Sequence, residues 1–299
     1  MKLLITGSNG FVATSIISQA RAHWDVHGIA RSGLPADEKN VHYHLLDLSE
    51  TEKLTETFFQ IKPDVVIHTA AIASIDFCQK NQSIAQAINV DVTKEIASLC
   101  KEAGIKMIHC STDTVFDGKK GMYVEDDLPN PVNFYAVTKV ESEKIVLTAS
   151  DQNVVARLAL VMGLRVTEKG NSFLSDLIGK LKKNEQVKFA ENEIRTPIDV
   201  ITSGAALTEM AGNNFSGIIH LSGNTRVNRF NMAKQIAIAM HFSPELIIST
   251  DSNSIPDRAP RPNDASMDNS KARQLLKTPM LSLQEGLAFT LNRKLEESI

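Results

Sequence analysis

The chain has few cysteines, and their number and spacing exclude two ways of organising a fold. It contains 3 cysteines in 299 residues. The number is odd and no two of them have the spacing of a metal site, so neither a disulfide framework nor a structural zinc site is expected. We interpret Cys78, Cys100 and Cys110 as ordinary buried or half-buried thiols and expect no metal, which fits a reducing, cytoplasmic setting.

Long apolar runs and an excess of one charge are also absent. No stretch approaches the ~18 apolar residues of a membrane span. Met1 and Lys2 lead directly into a strand-like run, whereas a signal peptide would need a longer apolar core first. The formal net charge is −3 and the basic residues are scattered. The chain therefore lacks the electrostatic footprint of a protein that binds nucleic acid or an anionic membrane, and we expect neither partner.

Strand-like and helix-like segments alternate from the first residue. The run Val65–Thr69 is apolar nearly throughout, which is typical of a strand covered on both faces. Strands separated by helices need crossover connections and therefore form a parallel sheet. The predicted strands are Lys2–Thr6, Val26–Ala30, Val41–Leu46, Val65–Thr69, Lys106–Cys110 and Val154–Leu158, and the predicted helices are Phe11–Ala22, Glu52–Ile61, Ile84–Ala103, Phe134–Ser150 and Val200–Ala211.

This alternation becomes irregular after about residue 160. Loops rich in Asn, Pro and Arg occupy 191–197 and 249–264. The sequence therefore predicts an α/β fold with a doubly wound, Rossmann-like parallel sheet and a small C-terminal substrate-binding lobe. Residues 1–160 would form the dinucleotide-binding domain with the catalytic residues. Residues 161–299 would form the substrate lobe, interleaved with the last elements of the sheet.

A glycine motif lies between the first predicted strand and the first predicted helix. This is the context that a dinucleotide-binding motif requires. Gly7 permits a tight turn, Gly10 lets the backbone approach a pyrophosphate, and the helix N-terminus directs its free N–H groups at the phosphates. An ordinary strand-to-helix turn is the alternative. The predicted cofactor contacts in this motif are Gly7, Asn9, Gly10, Phe11 and Val12.

The end of the second predicted strand indicates which dinucleotide binds. Arg31 and Ser32 stand there, without the acidic residue that binds the ribose 2′-hydroxyl of NAD. A guanidinium and a hydroxyl suit a 2′-phosphate, so NADP is predicted, with NAD as the second possibility. An ordinary exposed arginine in a loop would give the same pattern.

Two more strand ends complete the predicted cofactor groove. Asp47 and Leu48 follow the third strand, where the carboxylate is placed to accept from the adenine amine. Asp47 is also a candidate N-cap for a helix that begins at Leu48. The small residues Ala70, Ala71 and Ala73 follow the fourth strand and leave room for the adenosine and its ribose.

A second group of residues is suited to proton transfer. Tyr135 and Lys139 are four positions apart, so a helix projects both from one face. A nearby ammonium stabilises a phenolate and is expected to lower the pKa of Tyr135. Thr112 follows a strand, at the edge where open α/β sheets bind ligands, and its hydroxyl is placed to hold a carbonyl oxygen. A common Ser/Thr turn is the alternative for Ser111 and Thr112.

These motifs together resemble the extended short-chain dehydrogenase/reductase superfamily. The resemblance implies that Tyr135 is the acid/base, that Lys139 tunes it and holds the nicotinamide ribose, and that Thr112 orients the substrate. The residues Ser111–Gly118 resemble more closely the dTDP-4-dehydrorhamnose reductase branch, as does the late Arg261-Pro262 pair. That branch implies an NADPH-dependent reductase of a 4-keto sugar on a nucleoside diphosphate.

The resemblance also suggests where the substrate lies. Asp113 belongs to the branch motif and is a candidate substrate contact. Arg195 and Arg261 are candidates for the diphosphate, since guanidinium groups supply several donors to one phosphate. Surface ion pairs are the alternative for both arginines. Asp199 is expected to cap the helix that follows it.

Two other functions stay open at this point. An epimerase or dehydratase would retain NAD, but dehydratases of the superfamily place Asp-Glu after the threonine, and this chain has Asp113-Thr114. The regulatory subunit of methionine adenosyltransferase resembles the same branch and would bind NADP and a partner enzyme without turnover. The expected partners are a nucleotide-sugar substrate and, as an option, a second copy of the chain in a homodimer.

Overall fold

The computed structural model of the protein describes residues 1–33, 39–164 and 172–296. The strands are β1 (Lys2–Thr6), β2 (Asp25–Ala30), β3 (Val41–Leu45), β4 (Val65–His68), β5 (Lys106–Thr112), β6 (Val154–Leu158), β7 (Val161–Met162), β8 (Val187–Ala190), β9 (Ile194–Arg195), β10 (Ile198–Asp199), β11 (Gly217–Leu221), β12 (Val227–Asn228) and β13 (Ile247–Thr250). The helices are α1 (Phe11–Ala20), α2 (Thr51–Ile61), α3 (Ile75–Lys80), α4 (Gln82–Gln86), α5 (Val92–Ala103), α6 (Phe134–Ala149), α7 (Phe173–Leu181), α8 (Val200–Ala211), α9 (Arg229–Ala239), α10 (Ser270–Leu275) and α11 (Leu283–Glu296).

Seven of these strands form one parallel sheet in the order β11-β6-β5-β4-β1-β2-β3. Alternate residues of β1 show why both of its faces are covered. Leu3 and Ile5 belong to a core that includes α1 and α8, whereas Leu4 belongs to a core that includes α2 and α5. A strand with apolar residues on both faces is stable only between two layers of helices. The predicted doubly wound α/β fold is confirmed.

The predicted helix Ile84–Ala103 differs from the structure in one important respect. It begins at Gln82 as α4, continues as a π-helical turn over Ala87–Asp91, and resumes as α5. Asn89 in this turn is buried, accepts from the Ile72 amide at 2.8 Å and donates to Thr138 Oγ1 at 3.1 Å. The extra residue in the π-helical turn directs the Asn89 side chain toward the loop after β4. A pattern of apolar residues with a period of 3.6 does not reveal such a turn.

The chain after residue 160 contributes to two structures. The strand β11 adds to the edge of the main sheet beside β6, and α8 packs against α1. The short pairs β10-β7, β12-β9 and β13-β8 lie outside that sheet, and a separate apolar core joins α7, α9 and α11. The division into residues 1–160 and 161–299 stays a prediction. The predicted cap of α8 is confirmed, since Asp199 Oδ1 accepts from the Thr202 amide at 2.8 Å.

The thiols agree with the sequence-based expectation. Cys78 and Cys100 are buried and Cys110 is half-buried, and all three are free thiols. Within the described residues, no helix combines the length and the apolar character needed to cross a lipid bilayer.

Candidate functional site

Two clefts lie at the carboxyl ends of the parallel strands. Their volumes are about 380 Å³ and about 430 Å³. Both are lined by Thr69 and Ala71, from the loop that follows β4, so the two clefts adjoin there. Open α/β sheets bind ligands at this edge, where the loops after the strands diverge. We call the first the adenosine cleft and the second the catalytic cleft, after the residues predicted to line them.

The glycine turn between β1 and α1 forms one wall of the adenosine cleft. Gly7 has φ +69°, and a Cβ at this position would lie 2.9 Å from the Cα of Ala70. A Cβ at Gly10 would lie 2.9 Å from the Gly7 carbonyl oxygen. Gly7 is therefore required for the turn to approach the chain after β4, and Gly10 is required for the turn itself to close. The helix α1 begins at Phe11, and the N–H groups of its first turn lack intrahelical acceptors, which makes them donors for phosphate oxygens.

The turn is tied to the loop after β2. Asn9 Nδ2 donates to the carbonyl oxygens of Ser32 and Gly33. Arg31 is exposed and lines the adenosine cleft with Ser32. The contact keeps the loop with the predicted 2′-phosphate donors beside the predicted pyrophosphate donors.

Asp47 occupies the same cleft, but not as a helix cap. Its Oδ1 accepts from the Ser49 amide at 3.0 Å and from the Ser49 hydroxyl at 2.8 Å. These bonds hold the pKa of the Asp47 carboxyl below its usual value, and the charge of Arg31 adds to the effect. The helix α2 begins only at Thr51 and Glu50 is its N-cap residue. The alternative in which Asp47 caps a helix from Leu48 is therefore wrong. The Asp47 carboxylate accepts from Ser49, which precedes the helix, and not from an amide of the helix.

Most of the other predicted cofactor contacts also line the two clefts. Phe11 is the exception, since it lines neither cleft and its ring lies next to Gly163. The predicted contacts in the adenosine cleft are Gly7, Asn9, Gly10, Arg31, Ser32, Asp47, Leu48, Ala70 and Ala71, and those in the catalytic cleft are Val12, Ala71, Ala73, Tyr135 and Lys139.

The structure brings the three predicted catalytic residues into the catalytic cleft. Thr112 is the last residue of β5, and Tyr135 and Lys139 lie on the first two turns of α6. The start of α6 is held by Asn133, whose Oδ1 accepts from the Ala136 amide at 3.0 Å. Tyr135 and Lys139 are nearly completely buried, so both groups are shielded from bulk water.

The electrostatics of Tyr135 differ from the expectation. Burial raises the pKa of Tyr135, the charge of Asp113 raises it further, and a hydrogen bond with Thr112 opposes the shift only in part. The expected lowering of this pKa by Lys139 is wrong, since Lys139 is not among the groups that lower it; the Lys139 Nζ lies 3.0 Å from His109 Nε2, and burial lowers the pKa of Lys139 to about 8. The phenol of Tyr135 therefore retains its proton over the neutral range.

The predicted substrate contacts also line the catalytic cleft, and protein groups already engage them. The guanidinium of Arg195 donates to backbone carbonyl oxygens, including that of Ile194 at 2.7 Å, and its Nε lies 3.6 Å from Asp113 Oδ2. Arg261 donates to Asp76 Oδ2 at 2.8 Å. Burial raises the pKa of Asp113 against the opposing charge of Arg195.

Several residues of this cleft were not predicted. Glu193, Arg229 and Arg258 line it as well, and Glu193 pairs with Arg258 at 2.5 Å. Arg258 lies in the predicted loop 249–264 and Glu193 in the predicted loop 191–197, whereas Arg229 had no sequence signal. His109 lies beneath Lys139, and its signal was a polar residue inside an otherwise apolar strand.

Comparisons with known proteins agree with this geometry. The family model described as the RmlD substrate binding domain matches residues 1–295. The β subunit of methionine adenosyltransferase 2 from Bos taurus is 28% identical over 310 aligned positions, covering 100% of this chain and 91% of that protein. A probable low-salt glycan biosynthesis reductase from Haloferax volcanii is 27% identical and covers 96% of each chain. The crystal structure of a hypothetical dTDP-4-dehydrorhamnose reductase from Sulfolobus tokodaii superimposes with a TM-score of 0.85 at 28% identity, covering 96% of this chain and 99% of the other.

Proposed function

This chain belongs to the family of the RmlD substrate binding domain, within the extended short-chain dehydrogenase/reductase superfamily, and we propose that it is an NADP-dependent oxidoreductase that reduces a nucleotide-linked 4-keto sugar. The observation that carries the proposal is that the two clefts adjoin at Thr69 and Ala71. A dinucleotide along the first cleft would reach directly into the second, where Thr112, Tyr135 and Lys139 lie together. Carbonyl reduction needs a hydride and a proton delivered at one place, and this arrangement provides for both.

The residues of the groove fit NADP. Gly7 and Gly10 permit the tight turn that leads into α1, and the free N–H groups of the first turn of α1 would bind the pyrophosphate. Arg31 and Ser32 would hold the 2′-phosphate, and the alanines after β4 leave space for the adenosine ribose. When bound, the reduced nicotinamide supplies the hydride. NAD is the second possibility, since a guanidinium also tolerates a free ribose hydroxyl.

Proton transfer is assigned to Tyr135. The Thr112 hydroxyl donates to the carbonyl oxygen and holds it near the phenol, and Tyr135 gives its proton to that oxygen as the alcohol forms. The raised pKa of Tyr135 suits reduction, because the acid must be protonated when the substrate arrives. Lys139 does not lower the pKa of Tyr135 before the reaction, so its proposed roles are to bind the nicotinamide ribose and to stabilise the phenolate once it forms.

The nucleotide part of the substrate is proposed to lie against the lobe formed by residues 161–299. Its diphosphate needs cationic donors. Arg261 is available for exchange, since the side chain of its partner Asp76 is 44% exposed. Arg195 would contribute its charge from a fixed position, and Asp113 would accept from a sugar hydroxyl. A homodimer stays a prediction.

Arg31→Ala is expected to weaken NADPH binding much more than NADH binding. The loss for NADPH should be ~1–3 kcal/mol, the usual contribution of a hydrogen bond to a charged group. Fluorescence titration of the wild type and the variant with each cofactor measures it. Arg21→Ala, another exposed arginine that does not line the groove, is the matched control. An equal loss for the two cofactors would remove Arg31 from the 2′-phosphate site.

A nucleoside diphosphate 4-keto-6-deoxy sugar is expected to support rapid NADPH oxidation, and the same sugar without its nucleotide is not. Binding energy from the remote diphosphate orients the keto group, so the free sugar should lose kcat as well as affinity. Steady-state rates at 340 nm, over a range of each substrate, separate the two parameters. Comparable kcat/KM values would show that the lobe does not bind a diphosphate.

The similarity to the β subunit of methionine adenosyltransferase 2 supports a second candidate, a non-catalytic regulatory subunit that binds NADP. It extends over the full length of the chain at 28% identity. Such a protein would bind NADPH, form a complex with a methionine adenosyltransferase catalytic subunit, and oxidise no NADPH with any nucleotide sugar. Size-exclusion chromatography of the mixture, together with the oxidation assay, distinguishes the two functions.

A further inference from the structure

His109 contacts Lys139 beneath the catalytic cleft. It lies on β5 and is completely buried, and its Nε2 is 3.0 Å from the Nζ of Lys139. His68 is its register partner on β4, with the two rings stacked at 5.4 Å between centroids. The nitrogens of His68 are already bonded to Thr6 at 2.7 Å and Thr93 at 3.0 Å. Of the two stacked rings, His109 is therefore the one that hydrogen-bonds to Lys139.

The environment defines the protonation state of the His109 ring. Burial holds the pKa of His109 well below its usual value, and the charge of Lys139 lowers it further, so the ring is neutral. A neutral imidazole has one donor and one acceptor nitrogen, whereas an ammonium group only donates. Nε2 must therefore be the acceptor, and Nδ1 carries the proton. Among the described residues Nδ1 has no hydrogen-bond partner, so the bond to Lys139 is the one that orients the ring.

The other groups around Lys139 are poor substitutes for His109. On its own helix, Tyr135 is a neutral phenol, and the Glu143 carboxylate already accepts from Ser111 and Arg157. On β5, burial raises the pKa of the Cys110 thiol to about 12, so the thiol is uncharged. From β4, the neutral His68 ring lies behind His109 and contributes no charge. The imidazole is therefore the direct acceptor for the buried ammonium.

We propose that His109 is a positioning residue for Lys139: its neutral ring accepts one N–H of the ammonium, keeps that buried amine protonated, and leaves the other two N–H groups for Tyr135 and the cofactor ribose. The consequence for turnover rests on the proposed reductase function. The contact itself does not, because it joins two residues of the chain alone.

Loss of the acceptor nitrogen should lower the pKa of Lys139. An accepted hydrogen bond stabilises the ammonium form and opposes the lowering of the pKa of Lys139 by burial, so its removal lowers that pKa further. The ammonium is present below its pKa and is lost as pH rises through it. A variant without the acceptor should lose the functions of Lys139 at lower pH, by about one to two units, the effect of one hydrogen bond to a charged group.

The first experiment needs neither cofactor nor substrate. Nitrogen-15 NMR of histidine-labelled protein distinguishes protonated from unprotonated ring nitrogens. His109 should show a protonated Nδ1 and an unprotonated Nε2 at neutral pH, and its Nε2 signal should change as Lys139 deprotonates near pH 8. Lys139→Met should abolish that change, and the His68 signals should not follow it. A proton on Nε2 at neutral pH, or a signal insensitive to Lys139→Met, overturns the proposal.

The second experiment compares His109→Phe, which keeps an aromatic ring without an acceptor, with His109→Gln, which supplies an amide oxygen. The alkaline limb of NADPH affinity and of kcat should move to lower pH in His109→Phe and return toward the wild-type position in His109→Gln. A purely structural role would lower the melting temperature without moving the limb, and that result overturns the proposal. If His109→Phe does not fold, the NMR measurement decides.

Different results would contradict the reductase function and the positioning role of His109. A shifted limb in NADPH affinity, with no oxidation of NADPH by any nucleotide sugar, would contradict the reductase function and support the role of His109. If folded His109→Phe had normal reductase activity and its alkaline limb stayed at the wild-type pH, the result would support the reductase function and contradict the role of His109.

Discussion

Tyr135→Phe is expected to lower kcat by about 10²–10⁴-fold, the usual contribution of a positioned general acid. The side chain is nearly completely buried beside Thr112 and its raised pKa keeps it protonated, so in this cleft it is the proposed proton donor to the carbonyl oxygen. Phenylalanine keeps the ring and removes the proton. NADPH affinity should change little, since the cofactor contacts stay in place. Steady-state oxidation and fluorescence titration of NADPH measure the two quantities.

Two variants serve as controls for this result. Tyr123→Phe removes a buried hydroxyl that donates to Asp117 at 2.6 Å, outside the catalytic cleft. It should lower stability and leave kcat nearly unchanged. Lys139→Ala should reduce both turnover and NADPH affinity, because both roles are proposed for Lys139. Full reductase activity of Tyr135→Phe would remove the tyrosine from its catalytic role.

Glu143→Gln is expected to destabilise the fold by ~3–5 kcal/mol, the usual cost of removing one partner of a buried ion pair. Arg157 is 1% exposed, and its Nε and Nη2 donate to Glu143 at 3.0 Å and 2.8 Å. The aromatic face of Phe116, 5.2 Å from the guanidinium, offers no compensating charge. The neutral amide would leave the guanidinium buried without its anion. Urea unfolding, monitored by circular dichroism, measures the loss.

The matched control is Glu141→Gln, since Glu141 is on the same helix and is exposed. The free energy of unfolding of this variant should stay within ~0.5 kcal/mol of the wild-type value. Replacing both partners, as Glu143→Met with Arg157→Met, should recover most of the stability, because no unpaired charge is then left. A loss below 1 kcal/mol for Glu143→Gln would mean that water or another group compensates Arg157.

This ion pair also supports the site above it. Glu143 lies one turn after Lys139 on α6 and accepts from Ser111, the residue before Thr112 on β5. The pair therefore joins the helix that carries the proposed acid to the strand that carries the proposed carbonyl donor. Conditions that unfold the Glu143→Gln variant should abolish activity at the same denaturant concentration.

The sequence by itself determined the architecture and most of the groove. Alternating apolar strands and amphipathic helices permit few solutions other than a parallel sheet with helices on both faces. Gly7 and Gly10 marked the turn, and the four-residue spacing of Tyr135 and Lys139 placed both on one face of a helix. Each of these properties depends on residues close together in the chain, so local spacing was enough to predict them.

Only the tertiary structure decided which partners those residues have. It turned Lys139 toward His109, raised the pKa of Tyr135 where a lowering was expected, and engaged Arg195 with backbone carbonyl groups. It also placed Asn89 in a π-helical turn. The shift in Tyr135 comes from burial, and the others come from side chains and carbonyl groups brought together by the packing of strands and helices. Desolvation and long-range hydrogen bonds arise only when the layers assemble, and no pattern of neighbouring residues records them.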